Sequence, residues 1–217
     1  MRTLIVLGGD APKKELLRTC AEEADLTIAA DRGLEAFDAA DVEPDLLIGD
    51  MDSIRPDILA RYEGKLEERR LNCIKDDTDG VDALDVALKR GATDITFLGA
   101  LGGRLDHAIA NVMLLVRAHR QGAKARILSE DAEIWRVDGE TVLRGMKGET
   151  ISLLPLGEAE GVSIEGCFYP ISDYTLTSDY PIGVSNVVTA DEARVSVRKG
   201  DLILFRYQNI HGHGEKA

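Results

Sequence analysis

Along the first 120 residues, short apolar runs alternate with stretches whose apolar positions recur at helical spacing. Residues 4–7, 26–29, 46–48 and 95–98 are short, largely apolar runs of strand length, broken only by Thr27 and Thr96, and 66–71 is a further strand candidate. Between them the spacing predicts helices over 13–24, 34–40, 56–62, 81–89 and 105–120. The last is the most regular, with apolar residues at 105, 108, 109, 112, 115 and 116, a pattern that places one apolar stripe along a helix. Pro56 falls in the first turn of its helix, where a missing N–H costs nothing. Buried strands that alternate with helices predict a parallel sheet covered on both faces.

The pattern changes near Gly122. Beyond it no helical spacing appears, and short strand candidates follow at 125–128, 133–137, 150–155, 162–165, 194–197 and 202–207. Turn residues such as Asp138-Gly139 and Lys199-Gly200-Asp201 separate them. This predicts an all-β domain, a sandwich, after an α/β domain. The expected division is 1–122 and 123–217. The tail His211-Gly212-His213-Gly214 is polar and glycine-rich and reads as a loose end rather than a metal site.

Composition narrows the function. The chain has 217 residues and a net charge of −13, and its Lys and Arg are scattered among Asp and Glu. A nucleic-acid binder needs a basic face, which this pattern does not offer. An acidic balance suits metal ions and cationic ligands instead. Cys20, Cys73 and Cys167 are too far apart for a zinc motif and odd in number, so reduced thiols in a cytoplasmic protein are expected. The opening apolar run is too short for a signal-peptide core, and no run approaches the ~18 residues of a membrane span.

Ligands of open parallel sheets sit outside the carboxyl ends of the strands. Here those ends read Gly8-Gly9-Asp10, Asp31-Arg32-Gly33, Gly49-Asp50-Met51-Asp52-Ser53, Asp76-Asp77-Thr78-Asp79 and 99–107. Nearly every one carries Asp, Gly or both. In an extended segment Asp50 and Asp52 point to one side, while Asp76 and Asp79 share a face at a helix start. Two carboxylates held 4 Å apart repel by roughly 4 kcal/mol at an effective dielectric near 20. A hard cation such as Mg²⁺, bound through carboxylates and substrate phosphates, removes that cost. Each Asp also has a bland role available, in a turn or as a helix cap, and Asp52 or Ser53 would serve as cap for the helix at Pro56. Gly99 to Arg104 is a glycine-rich turn into a helix, suited to phosphate but without the Walker lysine pattern. Arg104 can pair bidentately with phosphate, and His107 and Asn111 lie one turn apart on the same helix.

Taken in order, Gly49-Asp50-Met51-Asp52-Ser53-Ile54, Lys75-Asp76-Asp77-Thr78-Asp79 and Gly102-Gly103-Arg104-Leu105-Asp106-His107 with Asn111 closely resemble the thiamine pyrophosphokinases. Gly8-Gly9 and Asp31-Arg32-Gly33 upstream, and Tyr169-Pro170-Ile171 and Ser185-Asn186 downstream, extend the resemblance over essentially the whole chain. It implies a Rossmann-like α/β catalytic domain followed by a β-sandwich, and a homodimer with its active site shared between subunits. The reaction implied is Mg²⁺-dependent transfer of pyrophosphate from ATP to thiamine. Asp50, Asp52, Asp76 and Asp79 would hold Mg²⁺ and the triphosphate. Thr78 and Arg104 would contact phosphates, with Gly8, Gly9, Gly102, Gly103, His107 and Asn111 around the nucleotide, and Asp31 and Gly33 lining its side. Asp106 would assist at the metal or nucleotide, and either Asp79 or Asp106 would accept the hydroxyl proton. Tyr169, Ser185 and Asn186 would meet thiamine. Two positions depart from the family pattern: Met51 stands where Phe is frequent, and Val187 follows Ser185-Asn186 where many bacterial members have an acidic residue.

Three other readings compete: a diphosphokinase with a pterin acceptor, a metal-dependent glycosyltransferase built on Asp50-Met51-Asp52, and a non-catalytic nucleotide or vitamin sensor. The glycosyltransferase reading leaves the other Asp clusters unexplained. Release of AMP marks pyrophosphoryl transfer and separates the diphosphokinases from the other two.

Overall fold

The computed structural model describes residues 1–70 and 78–208. Among them the chain forms two compact units, 1–130 and 131 onward.

The first unit is a six-stranded parallel sheet with five helices. Its strands are β1 (Arg2–Val6), β2 (Leu26–Ala30), β3 (Leu46–Gly49), β4 (Glu67–Arg70), β5 (Asp94–Leu98) and β6 (Lys124–Leu128). The helices between them are α1 (Lys14–Glu23), α2 (Gly33–Ala39), α3 (Pro56–Tyr62), α4 (Asp79–Lys89) and α5 (Leu105–Arg120). The strand order is β4-β3-β2-β1-β5-β6, with every pair parallel. After β4 the chain returns past β1 to β5, so the order reverses between β1 and β5. Right-handed crossovers then put α4 and α5 on the face opposite α1–α3, and the contacts α1–α2, α2–α3 and α4–α5 agree. Alternate residues along β1 divide between the two layers. Leu4 and Val6 pack with Leu17, Cys20, Leu34, Phe37 and Ile58 of the first three helices, while Ile5, between them, is equally buried.

β6 departs from the expected division. The sequence pattern assigns residues 125–128 to the β domain, but β6 pairs in parallel with β5 from Asp94↔Lys124 to Phe97↔Ile127 and completes the α/β sheet. Gly122 ends α5 rather than the domain. The apolar stripe of α5 also departs. Its second half is buried through Leu114, Leu115, Val116 and Ala118, whereas Leu105, Ile109 and Met113 lie exposed at four-residue intervals.

The second unit is an antiparallel β-sandwich: β7 (Ala132–Arg136), β8 (Glu140–Arg144), β9 (Thr150–Glu165), β10 (Ile171–Thr177), β11 (Asn186–Val187), β12 (Glu192–Ser196) and β13 (Lys199–Tyr207). The expected strands 150–155 and 162–165 are one strand, β9, which runs on through Gly157 and Gly161 and pairs with β10, β11, β12 and β13. The expected turn at Lys199-Gly200-Asp201 lies inside β13, where a shift of register between Gly200 and Asp201 absorbs the irregularity. The core is aliphatic: Ile151, Leu153, Val162 and Ile164 of β9 meet Val195, Leu202 and Leu204, with Trp135 and Met146 at its margin. Cys20 and Cys167 are buried free thiols, one in each unit; Cys73 lies outside the described residues.

Candidate active site

A cleft of about 640 Å³ opens at the carboxyl edge of the parallel sheet, over the point where the strand order reverses. Its walls come from the ends of β1, β2, β3 and β5 and from the first turns of α4 and α5. Gly8, Gly9, Asp31, Asp50, Thr78, Asp79, Gly102, Gly103, Arg104, His107 and Asn111, all singled out in the sequence, line it. Gly33 does not. It is buried in the first turn of α2, where a Cβ would stand 2.0 Å from the Val6 carbonyl oxygen, so its role is close packing of helix on strand. Asp76 lies outside the described residues.

Asp31, Asp50 and Asp52 form the acidic centre, offering carboxylate oxygens within 4.8 Å of one another. The route differs from the expected one. Asp50 and Asp52 are not extended neighbours, because the chain turns between them. Met51 takes a left-handed backbone, φ 66°, and is buried under the loop, and the Asp52 N–H donates to Asp50 Oδ1 at 3.1 Å. The buried Met51 and Ile54 anchor the turn in the core of the first three helices, which leaves both carboxylates facing out. Gly49, at φ 141°, lets Asp31 come close; a Cβ there would lie 3.1 Å from the Asp31 Cβ and 3.2–3.3 Å from its backbone. Asp31 is itself left-handed at φ 47°. Non-glycine residues in that region store strain, and such strain concentrates at functional sites.

The electrostatics follow from the crowding. The Asp52 carboxyl is pushed up by its hydrogen bond with Asp50 first, then by the Asp50 charge, by burial and by Asp31. Asp79 is pushed up to about 6, first by burial and then by Asp31, Asp50 and Asp82. Thr78 caps α4 through a bond from the Val81 N–H at 3.4 Å, placing Asp79 at the helix start beside the cleft. Like charges gathered this way favour a bound cation. The donor set is all oxygen, as a hard divalent ion requires. Asp31 Oδ1 is buried and without a hydrogen-bond partner. A buried carboxylate oxygen left unpaired is costly, so these residues fit a metal such as Mg²⁺.

The loop from β5 to α5 is held from two sides. Gly102 sits at φ 81°, and a Cβ there would fall within 2.2 Å of the Asp10 carboxyl atoms. Asn111 Nδ2 donates to the Ala100 carbonyl at 2.8 Å, so Asn111 supports the loop as well as lining the cleft. Arg104 forms a two-pronged pair with Asp106, at 3.1 and 2.6 Å. That pair holds the Asp106 carboxyl down to about 2. Asp106 lies neither in the acidic group nor on the cleft wall; its observed partner is Arg104. Arg32, Asp10 and Ser53 also line the cleft. Composition had no means of separating them from ordinary turn residues, although Arg32 and Ser53 each adjoin a motif Asp.

In the sandwich, Tyr169 is exposed and Asn186 buried. The Asn186 side chain is fully engaged with backbone. Its Oδ1 accepts from the N–H groups of Tyr169 and Val187 at 3.0 and 2.9 Å, and its Nδ2 donates to the Tyr169 carbonyl at 2.8 Å. Asn186 thus fixes the segment that presents the Tyr169 ring, which meets Phe168 edge to face at 4.8 Å. Ser185 is exposed and left-handed at φ 60°, and its N–H donates to Ser152 Oγ at 3.0 Å.

A doubly wound parallel sheet with glycine turns, helix starts and clustered carboxylates at its carboxyl edge defines an α/β protein suited to metal-bound polyphosphate, here joined to a β-sandwich. Residues 17–127 match the thiamin pyrophosphokinase catalytic domain, and residues 139–202 match the thiamin pyrophosphokinase vitamin B1 binding domain. The chain belongs to the thiamin pyrophosphokinase family. It is 28% identical over 212 residues to the thiamine pyrophosphokinase of Bacillus subtilis, covering 95% of this chain and 99% of that one. It is 26% identical over 172 residues to thiamine pyrophosphokinase 1 of Oryza sativa, covering 71% and 62%. The crystal structure of the Bacillus subtilis enzyme superposes with a TM-score of 0.84 at 26% identity, over 97% of this chain and 100% of that one. The thiamin pyrophosphokinase of Candida albicans, at 16% identity, shares the fold with a TM-score of 0.82 over 96% and 89%.

Proposed function

We propose that this protein transfers the terminal pyrophosphoryl group of ATP to the hydroxyl of thiamine, yielding thiamine diphosphate and AMP. The observation that carries the proposal is the acidic centre of Asp31, Asp50 and Asp52 opening on a glycine-lined cleft, in a chain of this family. The hydroxyl oxygen bonds to the β-phosphorus, and the bond from that phosphorus to the α,β-bridging oxygen breaks, so the bridging oxygen leaves with AMP. Such transfers need alignment and neutralised charge more than covalent help.

Asp50 and Asp52, with Asp31 beside them and Asp76 and Asp79 from the next segment, would hold Mg²⁺. Bound there, the ion would neutralise the charge of the phosphate oxygens. Gly8, Gly9, Gly102 and Gly103 line the cleft where phosphate would lie, with open space only at Gly103 among the positions a side chain would fill, and Thr78 and His107 stand at the helix starts on the same wall. Arg104 exchanges its Asp106 partner for a phosphate oxygen, and Asp106 returns it when product leaves. A carboxylate beside the cleft, Asp79 or Asp106, would accept the hydroxyl proton. On the vitamin side the exposed Tyr169 ring suits the cationic thiazolium. Ser185 would add a hydroxyl there, and Asn186 acts by fixing the Tyr169 backbone.

A homodimer and a cytoplasmic location complete the proposal. The exposed Leu105, Ile109 and Met113 supply apolar surface of the kind that association covers, and among the described residues no helix is long and apolar enough to cross a membrane. The test is formation of AMP from ATP and Mg²⁺ with and without thiamine, the second product being identified by mass. Equal amounts of AMP and thiamine diphosphate are expected. Thiamine-independent AMP, or AMP formed only with a pterin alcohol, would overturn the acceptor; binding of both substrates without AMP would make the protein a sensor.

A further inference from the structure

Ser53 stands at the centre of a set of contacts that the reaction alone does not explain. The sequence offers it as a cap for α3, yet the residue at that helix start is Arg55, and no side chain caps it. The Ser53 hydroxyl instead donates to Oδ2 of Asp31, a residue 22 positions away on a different strand end. Asp31 is fixed at its backbone as well, its N–H donating to the Ile48 carbonyl at 2.7 Å. One carboxylate oxygen is therefore committed to Ser53, and the other, Oδ1, is buried without a partner while the carboxyl stands within 4.8 Å of oxygens from Asp50 and Asp52. An ionised carboxylate only accepts hydrogen bonds, so the hydroxyl holds Asp31 in one orientation and leaves its free oxygen for a cation. Ser53 belongs to the same turn as Asp50 and Asp52, so one bond ties the carboxylate of β2 to the two carboxylates of β3.

We propose that Ser53 is a positioning residue for the metal centre, acting through Asp31 rather than touching the ion or the substrates. The inference rests on the reading of this cleft as a divalent-metal site. Groups that orient metal ligands are worth ~10–100-fold in metal affinity when removed.

The experiment is titration of the nucleotide-free protein with Mn²⁺, followed by the loss of the free-ion electron paramagnetic resonance signal. Ser53→Ala is expected to bind Mn²⁺ at least ~10-fold more weakly than wild type, and Ser53→Thr, which keeps the hydroxyl, to bind close to wild type. In an Asp31→Asn background the Ser53→Ala change should add nothing further. Circular dichroism and the urea midpoint report whether each variant folds, and Ser53→Gly, which also lacks the hydroxyl, carries the comparison if the Ala variant does not. Unchanged Mn²⁺ affinity in Ser53→Ala, a full additional loss in the Asp31→Asn background, or a wild type that binds no Mn²⁺ would each overturn the proposal. AMP formation by wild type is measured alongside. Turnover with an indifferent Ser53→Ala titration rejects the positioning role and keeps the function; the expected titration without turnover does the reverse.

Discussion

Replacing Asp79 by asparagine should make the metal-free protein more stable at neutral pH, and the gain should vanish in acid. In the folded protein burial and the charges of Asp31, Asp50 and Asp82 push the Asp79 carboxyl from 3.8 to about 6. The folded state thus holds its proton more tightly than the unfolded state. Stability from this group is fully present below pH ~4 and is lost as pH rises through about 6. At ~1.4 kcal/mol per pK unit the rise would be worth ~3 kcal/mol for a fully shielded group; Asp79 is only half-buried, and screening by water reduces this to ~1–1.5 kcal/mol. The amide that replaces the carboxyl cannot ionise and escapes that penalty. Urea unfolding in EDTA at pH 7.5 should show the variant ahead by this amount, and the two midpoints should converge near pH 4. Added Mg²⁺ should reverse the order, since a ligand that binds only the folded state stabilises it by mass action and the variant has lost a carboxylate. Equal stability at pH 7.5, or a gap that persists undiminished at pH 4, would refute the account of the crowded carboxylates.

Three further outcomes follow from the geometry. Asp50→Ala should lower turnover by ~10³-fold while circular dichroism and the urea midpoint stay at wild type or above; turnover near wild type would remove Asp50 from the metal centre. Asn186→Ala strips partners from the N–H and carbonyl of Tyr169 and from the N–H of Val187, so it should cost ~2–3 kcal/mol and raise KM for thiamine while leaving KM for ATP in place, as steady-state kinetics with each substrate varied will show. Gly102→Ala places a side chain in a left-handed turn against Asp10 and should destabilise by ~1–2 kcal/mol, with KM for ATP rising; a thermal melt and kinetics identical to wild type would remove that turn from the nucleotide side.

Local signals carried the α/β half and carried the sandwich less well. The helices at Pro56–Tyr62 and Leu105–Arg120 fall where the spacing puts them, because Pro at the first turn and a long apolar stripe are local features. β6 falls to the other domain in the sequence pattern because parallel pairing with β5 across a whole helix leaves no local trace. β9 reads as two strands because Gly157 and Gly161 look like turns, and only the partners on both sides keep the strand continuous there. At the site, the residue types were legible and the geometry was not. Asp50 and Asp52 meet through a left-handed Met51 that alternation does not foresee, and Asp31 joins them by a fold of the chain rather than by spacing.

The long strand β9 governs how the second unit comes apart and together. It holds four other strands, and its partner β13 begins at Lys199, 34 residues after β9 ends at Glu165. Pairing over such separations pays loop-closure entropy before contacts repay it, which slows folding relative to helical units. Since four strands share β9, its amides are expected to be among the slowest of the unit to exchange with solvent, which hydrogen exchange measures. The segment that presents Tyr169 is stitched to this same strand through Asn186 of β11, so the ring that faces solvent is carried on the most heavily paired strand of the unit.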